Sequence, residues 1–110
     1  MKEIITLLEY QVEAFKTISP EIEDAEDYFL LGLCSESGEV AGVAKKYLRG
    51  DYGRVEYIEK LKKELGDVFW YLAMTCEVHG FNLMTIANMN IGKLRKRQEN
   101  GTLKGEGDER

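Results

Sequence analysis

The chain has 110 residues, enough for one domain that buries roughly two-thirds of its unfolded surface without covalent staples. Apolar residues make up 44% and charged residues 32%, a balance that fits a soluble globular protein and argues against disorder. The net charge of −5 gives an overall field that does not attract nucleic acid, so a phosphorylated ligand requires a metal ion or well-placed cations.

Four helices are expected, with no strand signal and no repeat. The first covers about Lys2 to Lys16, with Ile4, Leu8, Gln11 and Phe15 inward and Glu9, Glu13 and Lys16 opposite. Ser19-Pro20 is a plausible cap and first-turn pair for the second helix, which otherwise starts near Asp24. That helix runs to Leu48 with Leu30, Leu33, Cys34, Ser37, Ala41, Ala44 and Leu48 as its stripe, Lys45, Lys46 and Arg49 suiting its last turn, and Gly50 as its stop. The third spans about Glu56 to His79, with Ile58, Leu61, Leu65, Val68, Leu72 and Cys76 inward and Gly80 as its stop. The fourth spans about Asn82 to Glu99, capped by Asn82, with Leu83, Ile86, Ala87, Ile91 and Leu94 inward. Short connections then give an all-α antiparallel four-helix bundle over residues 1–99. The Gly- and charge-rich tail, 100–110, reads as flexible unless a ligand or partner orders it. Helices this long in so short a chain suggest stripes buried against further copies, as a homodimer or homotetramer.

Cys34 and Cys76 lack metal or redox spacing and read as small buried hydrophobes in a reducing compartment. No apolar run approaches the roughly 18 residues of a membrane span, and the N-terminal MKEIITLLEY is too polar for a signal peptide. A cytoplasmic protein with no membrane or nucleic-acid partner is expected.

Glu36 and Glu39 are three residues apart, as are Glu64 and Asp67, so each pair shares one helix face. Both pairs lie on the shoulder of an apolar stripe, Glu36 and Glu39 beside Val40 and Val43, Glu64 and Asp67 in line with Tyr71. Facing each other across antiparallel helices, four carboxylates would repel strongly, and a divalent cation removes that cost. Acidic pairs at this spacing are often only solvated surface. The helix-four stripe Asn90, Lys93 and Arg97 favours the metal reading, because its cations can meet phosphate oxygens; by itself it reads as a solvated basic face. Trp70 falls opposite the helix-three stripe and reads as an interface contact. His79 reads as a helix C-terminal residue.

The pattern Glu36-x-x-Glu39, then 24 residues, then Glu64-x-x-Asp67 resembles the signature of the MazG-type all-α nucleoside triphosphate pyrophosphohydrolases. LGLCSESGEVAGVAKKYLRGD resembles the family's first metal-binding helix, KKELGDVFWYLA its second, and NIGKLRKR its N-x-x-K-L-x-x-R segment. The likeness spans roughly Tyr28 to Arg97, and the tail ending in GDER is similar to small phage-type or stand-alone members. The resemblance implies a dimeric or tetrameric helical enzyme that cleaves a nucleoside triphosphate between the α and β phosphates. It implies magnesium, with manganese as a substitute, held by Glu36, Glu39, Glu64 and Asp67. It implies phosphate binding by Lys93 and Arg97, a role for Asn90 at the substrate, and an aromatic contact from Tyr71 to base or sugar.

Three other classes compete. A di-iron bundle needs Glu-x-x-His pairs, and the only histidine, His79, has Cys76 three residues before it. No Walker loop is present. A non-enzymatic dimerisation or regulatory module predicts no magnesium dependence, and a phosphoribosyl-ATP pyrophosphatase shares the chemistry but fits ELGDVFWYLA less well.

Overall fold

In the computed structural model, which describes residues 3–19 and 21–110, four helices follow one another: α1 (Leu7–Phe15), α2 (Ala25–Leu48), α3 (Arg54–Val78) and α4 (Leu83–Glu99). Among the described residues there is no strand. The expected start near Lys2 and the Ser19-Pro20 cap involve residues outside those described.

Local chemistry fixes the helix ends. Thr6 caps α1, its hydroxyl oxygen accepting from the Glu9 amide at 3.0 Å. Thr6-x-x-Glu9 is a capping-box pattern within an apolar run, which explains why helical spacing alone placed the start too early. Asp24 precedes α2 in the left-handed region, φ 48°. Gly50 and Gly80 follow α2 and α3 at φ 87° and 82°, the conformation that favours glycine after a helix. Asn82 caps α4 as expected, its Oδ1 accepting from the Thr85 amide at 2.8 Å.

The helices α2 and α3 form the main antiparallel pair, joined by the short segment 49–53. At the loop end Tyr47 stacks on Tyr57 with ring centroids 4.1 Å apart, and the Tyr52 hydroxyl donates to the Val43 carbonyl at 2.6 Å. At the other end fully buried Phe29 meets Trp70 and Tyr71. Trp70, partly buried, packs against this core, and its indole N–H donates to the Thr17 hydroxyl at 2.9 Å. Ala14, Ala73, Met74, Cys76 and Leu83 complete the core.

Gln11 ties three helices together. Its amide nitrogen donates to the Glu77 carboxylate at 2.7 Å and the Phe81 carbonyl at 3.1 Å, while its oxygen accepts from the Leu83 amide at 2.7 Å. Beyond this anchor much of the apolar face of α4 lies uncovered. Among the described residues it packs on α1 and α3 but does not approach α2, and Ile86, Ile91 and Leu94 are exposed. The radius of gyration, 16.9 Å, exceeds the roughly 13 Å of a compact chain this long. The expected inward stripe of α2 is likewise corrected. Phe29 and Val43 are buried, whereas Leu30, Cys34, Ser37, Ala41 and Leu48 face outward. In α1, Leu8 and Phe15 are exposed and Gln11 and Ala14 are buried.

Candidate functional site

The rotation of α2 has a chemical consequence. With Phe29 and Val43 against α3, half-buried Glu36 faces α3, where Glu64 is half-buried and Asp67 exposed. One carboxylate oxygen of each of Glu36, Glu64 and Asp67 lies within 4.8 Å of the others. Glu39, one turn along α2, is exposed and outside this group, although its charge acts on Glu36. The Glu36 carboxyl is held above its usual range, first by burial, then by the charges of Asp67, Glu64 and Glu39, and by a hydrogen bond with Glu64. None of the ion pairs among the described residues involves these four groups. A cluster of hard oxygens with unbalanced negative charge fits a divalent cation.

Tyr71 stands one turn beyond Asp67 and forms the wall beside the cluster. Its ring covers Gly32, where an added methyl group would collide with the ring carbons. Burial is the main cause that raises its phenol, followed by hydrogen bonding to Tyr28 and the charges of Tyr28, Glu36 and Asp67. Gly32 and Tyr28 were not singled out from the sequence. The signal available for Gly32 was its place one turn before Glu36 on the same face.

Lys93 and Arg97 lie together on one flank of α4, while Asn90 is exposed. Arg97 is buried at 6% exposure, and both cations contact Asp108 of the C-terminal segment. His79 closes α3, with Nδ1 2.6 Å from the Thr75 carbonyl oxygen. Cys76 is buried as expected, but Cys34 is exposed. A surface depression lined by Asp24, Glu26, Asp27 and Val78 includes none of the clustered carboxylates. No helix among the described residues is long and apolar enough to cross a membrane.

Comparison with known proteins places this arrangement. Residues 25–102 match the model of the MazG nucleotide pyrophosphohydrolase domain, a span that contains all of α2, α3 and α4. The chain is 37% identical over 109 residues to the Gene 37 protein of Mycobacterium phage L5, across 92% of this chain and 96% of the phage protein. No solved structure matches.

Proposed function

The chain belongs to the MazG nucleotide pyrophosphohydrolase family, and on that premise we propose that it is a magnesium-dependent enzyme cleaving a (deoxy)nucleoside triphosphate to the monophosphate and pyrophosphate. The observation that carries this reading is the convergence of Glu36, Glu64 and Asp67 within 4.8 Å. We assign these three and Glu39 to the metal. Magnesium suits them because it takes hard oxygen ligands at roughly 2.0–2.1 Å, and manganese can substitute. When bound, the ion offsets the carboxylate repulsion and polarises the phosphate under attack.

The remaining chemistry is positioning and charge. Glu36 or Glu39 accepts a proton from the attacking water. Lys93 and Arg97 neutralise charge that moves onto the leaving pyrophosphate, and Arg97 has the fork geometry for two phosphate oxygens. Asn90 orients the triphosphate, and Tyr71 offers its ring edge and phenol to the sugar or base. A homodimer or homotetramer covers the exposed apolar faces of α2 and α4. The proposed setting is the cytoplasmic nucleotide pool, without a nucleic-acid or membrane partner.

The test is pyrophosphate release from a panel of canonical and modified nucleotides, with magnesium or EDTA, by the wild type and Glu64→Gln. Magnesium-dependent release lost in the variant is expected. No release from any nucleotide by folded, magnesium-loaded protein would overturn the reading in favour of a non-enzymatic module.

A further inference from the structure

Arg97 is unusual for a cation in the last turn of a helix, because it is almost wholly buried. What covers it is the chain's own C-terminal segment. Its Nη2 donates to the carbonyl oxygens of Asp108 at 3.0 Å and Gly107 at 3.4 Å, and to the Asp108 carboxylate at 3.4 Å. Lys93, one turn earlier, donates to the same carboxylate oxygen at 3.4 Å. Arg110 closes the segment on itself by donating to the carbonyls of Thr102, Leu103 and Gly107, and the Thr102 amide donates to the Arg97 carbonyl at 2.8 Å.

This fit is a poor one for a guanidinium. A good carboxylate partner takes two parallel donations at about 2.7–2.9 Å. Here a single carboxylate oxygen sits at 3.4 Å from both cations, on a side chain that is 83% exposed. The Arg97 Nε is buried with no hydrogen-bond partner among the described residues. An unmet donor on a buried charge is a standing cost that a better anion would remove. The segment's side-chain hydrogen bonds run to α4 or to itself, so lifting it off breaks none of those bonds to α1, α2 or α3.

We propose that residues 102–110 are an anion-mimicking strap, in which Asp108 occupies the Lys93–Arg97 cation pair until a polyphosphate displaces it. The inference rests on the assignment of Lys93 and Arg97 to phosphate binding. The strap sets a threshold for ligand, because a polyphosphate must outcompete an intramolecular carboxylate. A triphosphate or pyrophosphate offers several charged oxygens and meets the unpaired Nε; a weakly charged anion does not.

Two measurements on the full chain test it, at matched ionic strength and in EDTA. One is calorimetric binding of inorganic pyrophosphate to the wild type and Asp108→Asn. The other is the rate of tryptic cleavage after Lys104 with and without pyrophosphate. Asp108→Asn is expected to bind pyrophosphate about two- to fivefold tighter, the scale of losing one exposed ion-pair competitor. Pyrophosphate is expected to accelerate cleavage of the wild type, and the variant is expected to be cleaved quickly without it. Equal or weaker binding by Asp108→Asn overturns the strap, weaker binding meaning that the tail braces Arg97. Cleavage indifferent to pyrophosphate also overturns it. The two readings fail separately. An inactive protein whose tail is still released by pyrophosphate keeps the strap, and an active enzyme whose Asp108→Asn variant has unchanged KM and pyrophosphate affinity loses it.

Discussion

Between α2 and α3, Glu36, Glu64 and Asp67 crowd within 4.8 Å, and among the described residues no basic side chain is paired to them. On α4, Lys93 and Arg97 carry the opposite charge, and a carboxylate from their own chain lies against both. The first region stores repulsion that an added cation or protonation relieves. The second is already covered, loosely, so an anion there must compete rather than simply add. On the proposed reading the two charged regions answer ligands in different ways, because among the described residues one has no counter-charge paired to it and the other takes one from the tail.

The largest test of this contrast is Glu64→Gln. Losing one preorganised charge at the proposed metal site should lower kcat by about 10²- to 10³-fold. The same change removes a repelling charge, so the melting temperature in EDTA should rise. A variant that keeps its activity, or melts lower in EDTA, would show that the cluster is not a strained metal cradle.

Magnesium sharpens the comparison next. At a concentration about 100 times its Kd, a cation that binds only the folded chain adds about 2.7 kcal/mol, a rise of roughly 10 °C for a domain this size. Calorimetry should find that rise in the wild type and a smaller one in Glu64→Gln. Asp108→Asn should retain it, since the tail belongs to the other region.

Gly32→Ala probes the wall of the carboxylate site. In an open helix this change stabilises by about 1 kcal/mol. Against the Tyr71 ring it should instead destabilise by about 1–3 kcal/mol, the cost of overpacking. Thermal unfolding checks the sign, and a higher melting temperature would mean that Tyr71 is not held over Gly32.

The smallest effect is on pH, where the regions should move in opposite directions. Glu36 has a raised pKa in the fold, so its contribution is complete below the ordinary carboxylate range and is lost as pH rises through the raised value. Asp108 is held below that range, first by its hydrogen bond to Lys93 and then by that cation's charge and Arg97, so its contribution is present above the range and lost on acidification. In EDTA, mild acid should relieve the carboxylate region first, and only stronger acid should loosen the tail. Melting curves against pH for Glu36→Gln and Asp108→Asn should each lose one of the two slopes.

Much of this was legible in one dimension. The Gly50 and Gly80 stops and the Asn82 cap are local, since each depends on backbone conformation or on a side chain reaching three residues along. The i, i+3 acidic spacing placed Glu64 and Asp67 on one face for the same reason. The Thr6–Glu9 cap was also local, but apolar residues upstream masked it.

Periodicity could not choose which face of α2 turns inward, because apolar residues occupy more than one. Leu30, Cys34, Ala41 and Leu48 were as good a stripe as Phe29, Val40 and Val43. Contact with Trp70 and Tyr71 decided it, by burying Phe29 completely, and the same rotation aimed Glu36 at α3 and left Glu39 outside. Nor could spacing foresee that Asp108 would return to Lys93 across fifteen residues. The sequence by itself determined the four helices, most of their ends and the acidic and basic residues proposed to meet a metal and a phosphate. Only the tertiary structure decided which carboxylates converge and what covers the cations, because both depend on packing and chain reversal between residues distant in the sequence.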